Sequence, residues 1–212
     1  MTTAASTISP AATPCIDWSA DARPLAGQIE LGDAYVVTPH ETGALVAVID
    51  GLGHGGEAAA AAAAAAAVLT RRAETSVINL LQTSHTELRK TRGAVLSIAS
   101  FDASSNMMTW VGVGNVAGAL FRADRNVMPA RESLLLRSGV VGYQLPLLRA
   151  ATLTVLPGDT LIFATDGIRD GFYEQSPLDR DPQEVAHTIL SDYGKETDDA
   201  LVLVVRYLGL QT

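Results

Sequence analysis

Cysteine, basic residues and long apolar segments are all scarce in this chain of 212 residues. The single cysteine excludes an intrachain disulfide framework and a cysteine-rich zinc site. Fifteen Lys and Arg against 23 Asp and Glu give a net charge of -8, and the sequence shows no basic patch of the kind that general nucleic-acid binders carry. The longest apolar run, 58–69, is too short to span a bilayer. We therefore expect neither nucleic acid nor membrane among the partners.

The length and composition favour one domain. Hydrophobic residues make up 48% of the chain, and no long charged or low-complexity linker interrupts it. A chain of this size buries roughly 70% of its unfolded surface, so it can fold without a disulfide or a structural metal. Residues 1–14 are small and polar and lack the basic and apolar regions of a secretory signal. We predict a flexible N-terminal tail at 1–14, a single domain over 15–212 and a cytoplasmic location.

Predicted strands occur in blocks between a few predicted helices. Two short strands are predicted between about 16 and 37, and further strands at 43–49, 93–101, 107–113, 116–121, 133–137, 151–155, 160–164 and 201–207. Ten consecutive alanines within 57–72 predict a thin helix packed close to the core. Segments 76–90 and 181–190 predict two more helices, the second capped by Asp181. This arrangement favours an α+β fold over a regular βαβ alternation.

Four aspartates lie at the ends of predicted strands: Asp33, Asp50, Asp166 and Asp198. A carboxylate at the end of a buried strand is costly unless a positive charge pairs with it. Too few basic residues lie nearby in the sequence to pair all four. Hard divalent cations prefer such oxygen ligands, so the pattern predicts a cation site.

The loop at 50–56, Asp-Gly-Leu-Gly-His-Gly-Gly, is the densest glycine cluster in the chain. Glycines let backbone carbonyls and amides approach a ligand closely. A phosphate-cradling loop at a helix start is one alternative, but the Gly-Lys-Ser/Thr of the Walker pattern is absent and Asp50 would repel a pyrophosphate. A plain structural turn is the other alternative. The residues alone leave the turn and the ligand site equally open.

Five motifs in order resemble the PPM family of metal-dependent protein serine/threonine phosphatases, and more closely its bacterial SpoIIE-type branch. The matching segments are 31–33, 48–55, 112–115, 157–168 and 197–205, and the resemblance extends over about 17–207. It implies a four-layer α/β/β/α sandwich in which two antiparallel sheets are flanked by helices. The small size and the segment 138–146 are most similar to the stand-alone phosphatases that reset the stressosome, a signalling complex.

The resemblance also implies a set of metal ligands. Asp50 would bridge two Mn²⁺ or Mg²⁺ ions, Asp33 and the Gly51 carbonyl would serve one ion, and Asp166 and Asp198 the other. Two such cations can clamp a phosphoryl group and activate a water, so no protein nucleophile is needed. Asp50 and Asp166 are therefore the predicted catalytic carboxylates.

His54 has two possible roles. It could protonate the leaving serine or threonine oxygen, or it could orient the glycine-rich loop. In the wider family a histidine follows the Asp-Gly pair directly, whereas two residues intervene here. Asp199 is expected to support a metal ligand instead of binding metal itself, and Asn115 is expected to support the glycine turn near the site. No clear counterpart exists for the arginine that holds substrate phosphate in eukaryotic members, and Arg23 and Arg169 are the candidates.

The implied activity is hydrolysis of phosphoserine or phosphothreonine on a phosphorylated regulatory protein, with stressosome subunits as the expected partners. A catalytically silent pseudophosphatase of the same fold is the alternative, although its metal ligands would be expected to decay first. A nucleotide-binding kinase of the GHKL type is a third hypothesis. It lacks the expected upstream helix with an asparagine, and it gives the Thr-Asp-Gly motif at 165–167 no role.

Overall fold

The computed structural model describes residues 15–124, 126–175 and 178–210. The predicted tail at 1–14 lies outside the described residues, so the division into a tail and a single domain stays a prediction. In chain order the strands are β1 (Ile16–Arg23), β2 (Asp33–His40), β3 (Gly43–Gly51), β4 (Ala94–Asp102), β5 (Met107–Val113), β6 (Ala117–Phe121), β7 (Arg131–Ser133), β8 (Ala151–Thr154), β9 (Thr160–Ala164) and β10 (Ala200–Tyr207). The helices are α1 (Gly56–Arg71), α2 (Val77–Glu87), α3 (Phe172–Gln175) and α4 (Pro182–Tyr193), and a 3₁₀ turn spans Leu88–Lys90.

The strands form two five-stranded sheets. The first sheet has the order β1-β10-β9-β6-β7 and the second has the order β2-β3-β4-β5-β8. Every pairing between these strands is antiparallel. Helices α1 and α2 cover the outer face of the second sheet, and α4 covers that of the first. The predicted four-layer α/β/β/α sandwich is therefore confirmed.

Strand β3 has a continuous apolar sequence because both of its faces are buried. Val46 and Val48 point into the core between the sheets, and Leu45, Ala47 and Ile49 pack under α1 and α2 on the other face. Because both faces are covered, alternation between apolar and polar residues is lost. Strand β10 is buried on both faces in the same way, between the inter-sheet core and α4.

The three predicted helices form, although α2 gives way to the 3₁₀ turn after Glu87 and α4 continues to Tyr193, three residues beyond its predicted end. The alanine-rich α1 buries a face that includes Ala58, Ala61 and Ala65, and the small side chains let it lie close to β2 and β3. Helix α4 starts after Asp181, whose carboxylate accepts a hydrogen bond of 2.8 Å from the Gln183 amide. Within the described residues no helix is long and apolar enough to cross a membrane. The short α3 was not predicted.

The strand predicted at 133–137 is wrong. The structure has β7 at Arg131–Ser133, and the chain leaves the first sheet after it. The Leu134 amide still donates to Gly118 in β6, but the Arg137 carbonyl accepts from Gly114 beside β5 of the second sheet. The segment crosses from one sheet to the other, so its apolar residues cannot form one strand.

Candidate metal centre and active site

The antiparallel topology gathers the four strand-end aspartates at one end of the sandwich. Asp33 starts β2 and is the register partner of Asp50 at the end of β3. In the first sheet, Asp166 follows β9 and Asp198 precedes β10, and these two strands are antiparallel neighbours. Residues that are up to 165 positions apart in the sequence, 33 to 198, are therefore brought together at the strand ends of the two sheets.

A cleft of ≈ 610 Å³ opens at this end of the molecule. Its lining includes Asp50, His54, Asn115, Asp166 and Asp198. Asp33 does not line the cleft, and with 5% of its surface exposed it is buried beneath it. Of the predicted residues, the structure thus brings three carboxylates and His54 to the cleft and places Asp33 behind them.

The carboxylates carry strongly perturbed pKa values. Burial, together with the charge of Asp50, raises the pKa of Asp33 to about 8. Burial and the charges of Asp166 and Asp198 raise the pKa of Asp50 to about 7. The pKa of Asp166 is raised by burial and by Asp198, while Lys195 opposes the shift. Desolvation and like charges both penalise the ionised forms, which a divalent cation would stabilise.

The donor set fits a hard cation. It consists of carboxylates and the backbone around Gly51, all oxygen ligands, which Mn²⁺ and Mg²⁺ accept. Within the described ranges no three His, Cys, Asp or Glu side chains already form a converged metal cluster. The fit therefore rests on the chemistry and the shared electrostatics of the four carboxylates, and the individual metal ligands stay a prediction.

Gly51 sits where no other residue fits. A Cβ at this position would lie 2.1 Å from the Ala58 carbonyl oxygen, so a side chain would push α1 off the end of β3. The Gly51 amide donates to the Gly32 carbonyl at 3.1 Å, which ties the end of β3 to the turn before Asp33. The close approach of α1 thus explains this glycine independently of metal binding.

His54 is exposed at the rim of the cleft, and within the described part of the chain it makes no hydrogen bond. Its imidazole is accessible to a substrate. The two candidate arginines lie elsewhere. The Arg23 guanidinium donates to the Lys195 carbonyl at 3.0 Å, and that of Arg169 donates to the Asp192 carbonyl.

Several supporting side chains contact the carboxylates. The Asn115 amide donates to Asp166 Oδ2 at 2.7 Å, and the Lys195 ammonium donates to the Asp166 carbonyl at 2.5 Å. The Thr165 hydroxyl donates to Asp33 Oδ2 at 2.8 Å, and Asp199 accepts two backbone amides. The sequence predicted supporting roles for Asn115 and Asp199. It gave no signal for Thr165 or Lys195 beyond their closeness to Asp166 and Asp198.

Comparison with known proteins places this chain in a family. The model of the family described as Stage II sporulation protein E (SpoIIE) matches residues 40–208. The chain therefore belongs to the SpoIIE family. No curated protein matches the chain.

Solved structures share the fold over nearly the whole chain. A structure from work on the bacterial stressosome, described as a modular system adapted to control secondary messenger signalling, is 32% identical, with a TM-score of 0.82, covering 90% of this chain and 99% of the other. RsbX in complex with magnesium is 22% identical, with a TM-score of 0.80 and coverages of 91% and 96%. The PP2C phosphatase domain of SpoIIE from Bacillus subtilis is 20% identical, with a TM-score of 0.74 and coverages of 93% and 64%. The predicted SpoIIE-type family is confirmed, and the solved structures show that the fold is shared.

Proposed function

We propose that this protein hydrolyses phosphoserine or phosphothreonine on a bacterial regulatory protein, with a binuclear metal centre at the end of the sandwich. The observation that carries the proposal is the group of partly or fully buried carboxylates at the cleft and beneath it, with pKa values raised to about 8 at Asp33 and about 7 at Asp50. A fold retains such an unfavourable group where a cation offsets it.

The two sheets would each contribute to the metal centre. From the second sheet, Asp33 and the Gly51 carbonyl would hold one ion, and Asp50 would contact both. From the first sheet, Asp166 and Asp198 would hold the other. When bound, the ions supply Lewis-acid activation of a water and charge stabilisation at the phosphoryl oxygens.

The other polar residues at the cleft would orient the carboxylates or donate protons. The Asn115 amide holds one oxygen of Asp166 at 2.7 Å and so fixes the orientation of that carboxylate. Lys195 holds the Asp166 backbone and contributes a positive charge beside the cleft. His54 lines the cleft and is exposed, so it can give a proton to the departing serine or threonine oxygen.

The partner class follows from two similar structures. One comes from work on the stressosome, and another is RsbX with magnesium. Both are matched over at least 90% of this chain, namely 90% and 91%. We therefore propose a phosphorylated subunit of a stressosome-like complex as the substrate.

The experiment is release of phosphate from a serine/threonine-phosphorylated stressosome protein, measured with Mn²⁺ and with EDTA. We expect release that depends on metal and is lost in Asp166→Ala. Asp102→Asn is the matched control, because Asp102 ends β4 opposite Gly43, at the other end of the second sheet from Asp50, and it should keep full activity.

Full activity of Asp166→Ala would contradict the metal assignment. Release from a generic phosphate ester but not from the stressosome protein would contradict only the partner. A protein inactive on every phosphoprotein would support the pseudophosphatase alternative.

A further inference from the structure

Thr165 connects the first sheet to Asp33 in the second. Its side chain is buried just beyond β9, with 2% of the residue exposed. The hydroxyl oxygen accepts a hydrogen bond of 2.9 Å from the Leu201 amide in β10, and the hydroxyl donates to Asp33 Oδ2 at 2.8 Å. The Leu201 carbonyl oxygen also lies within reach of the hydroxyl, at 3.4 Å, but the carboxylate oxygen at 2.8 Å is the closer acceptor. Thr165 thus fixes one oxygen of Asp33 from the opposite sheet.

Asp199 makes a second connection of the same kind. With 4% of its surface exposed, it accepts from the Gly32 amide at 3.0 Å and from the Leu25 amide at 2.8 Å. The Gly32 carbonyl in turn accepts from the Gly51 amide at 3.1 Å. A Cβ on Gly32 would lie 2.7 Å from Asp199 Oδ2, so the turn is pressed against this carboxylate. Asp199 therefore positions the turn before Asp33 and, through the Gly32 carbonyl, the backbone of Gly51.

We propose that Thr165 and Asp199 form a cross-sheet brace, and that this brace sets the affinity of one metal position, the one served by Asp33 and Gly51. The inference rests on the proposed metal-dependent function. The other position has separate support, because Asp166 is held by Asn115 and Lys195. Thr165 and Asp199 are positioning residues, since each acts through a ligand or its backbone.

The brace would affect metal affinity because the side chains that hydrogen-bond to a metal ligand fix its orientation. Residues that hold metal ligands in place typically change metal affinity by about 10–100-fold when they are removed. Thr165→Val keeps the shape of the side chain but leaves Asp33 Oδ2 and the Leu201 amide without their shared partner. Asp33 can then turn away from the geometry that the first sheet imposes on it.

The test is a Mn²⁺ binding isotherm on protein stripped with EDTA. The wild type should bind two Mn²⁺. Thr165→Val should weaken one of them by about 10–100-fold and leave the other within about threefold. Thr165→Ser keeps the hydroxyl and should restore binding. Thr38→Val is the matched control, because it removes a buried threonine hydroxyl from β2 that has no hydrogen-bond partner within the described residues, and it should change neither affinity.

Hydrogen exchange on the metal-free protein gives a readout independent of metal and activity. Thr165→Val should lower the protection of the Leu201 amide, and Asp199→Asn that of the Gly32 or Leu25 amide. If Thr165→Val fails to fold, Asp199→Asn decides the question by the same loss of affinity for one Mn²⁺.

The outcomes separate the brace from the function on which it rests. Two Mn²⁺ affinities that are unchanged in the brace variants, or that fall equally, would overturn the brace and leave the metal centre intact. A wild type that binds fewer than two Mn²⁺ would contradict the binuclear centre and, with it, the division into two positions.

Discussion

Two buried aspartates of this fold have opposite surroundings. Asp159, with 2% of its surface exposed, precedes β9 and accepts from the Ala123 amide at 2.9 Å and the Leu156 amide at 3.1 Å. Arg122 forms an ion pair with it at 3.0 Å. Asp33, with 5% exposed, receives only the Thr165 hydroxyl from among the described side chains, and its register partner is Asp50, another carboxylate.

The difference separates a structural acid from one kept for a ligand. At Asp159 the protein supplies the positive charge and the donors itself, and the carboxylate ties the β8–β9 turn to β6. At Asp33 it supplies neither a cation nor enough donors, and like charges raise the pKa further. Burial alone does not identify a functional carboxylate, whereas burial without a partner does.

The largest expected loss of stability comes from removing the charge of Asp159, the buried acid that has an ion pair and hydrogen-bond donors. Asp159→Asn removes one charge of a buried ion pair and leaves Arg122, of whose side chain only 9% is exposed, with Glu132 at 3.5 Å as its counter-charge. We expect a loss of about 3–5 kcal/mol in the free energy of unfolding, measured with urea. The Mn²⁺ requirement of the folded enzyme should not change. A stability equal to that of the wild type would remove the contrast between the two acids.

A gain in stability is expected when the charge of Asp33, the buried acid without a cationic partner, is removed. Asp33→Asn removes a charge that burial and Asp50 penalise. In EDTA at pH 8 we expect it to stabilise the protein by up to about 5 kcal/mol, because the pKa of Asp33 rises from 3.8 to about 8 and each tenfold change in the ionisation constant corresponds to about 1.4 kcal/mol. Chemical denaturation of both variants side by side provides the measurement. If Asp33→Asn destabilised the metal-free protein as Asp159→Asn does, Asp33 would be a structural acid.

The pH dependence of the metal-free protein sharpens the same comparison. The folded-state pKa values of Asp33 and Asp50 are raised from 3.8 to about 8 and about 7, so the folded state binds more protons than the unfolded state between these limits. Their stabilising contribution is full below about pH 4 and is lost as the pH rises through 7 to 8. Urea midpoints at pH 5 and pH 8 should therefore fall more steeply for the wild type than for Asp33→Asn. Equal slopes would contradict the assigned pKa values.

The smallest expected effect comes from removing the exposed Asn115 side chain beside the proposed metal centre. Asn115→Ala removes the amide that holds Asp166 Oδ2 at 2.7 Å. We expect activity on p-nitrophenyl phosphate to fall about tenfold. The free energy of unfolding should stay within about 0.5 kcal/mol, because the residue lies at the surface. Unchanged activity would show that this hydrogen bond does not orient Asp166.

The sequence predicted those features that depend on local pattern or on a known resemblance. The buried strands β3, β9 and β10 were visible as apolar runs, and α1 as an alanine-rich helix. The resemblance supplied the four-layer arrangement and the motif aspartates. The strand predicted at 133–137 failed because the chain changes sheets there, which depends on contacts far apart in the sequence.

The missed features are long-range contacts of ordinary residues. Thr165 and Asp33 are separated by 132 positions, and nothing in a threonine after a strand predicts that its hydroxyl meets a carboxylate of the other sheet. Asp159 lies in a Pro-Gly-Asp sequence that the resemblance marked only as part of the motif at 157–168. Its ion pair with Arg122 depends on the pairing of β6 with β9, which the local sequence does not reveal.

The central claim is that the unpaired carboxylates at the cleft form a metal centre for phosphate hydrolysis. Its most direct test is release of p-nitrophenol from p-nitrophenyl phosphate, with Mn²⁺ and with EDTA, for the wild type and Asp50→Ala. We predict hydrolysis by the wild type with Mn²⁺ only, and none by Asp50→Ala under either condition. Hydrolysis that persists in EDTA, or that survives the loss of Asp50, would contradict the account.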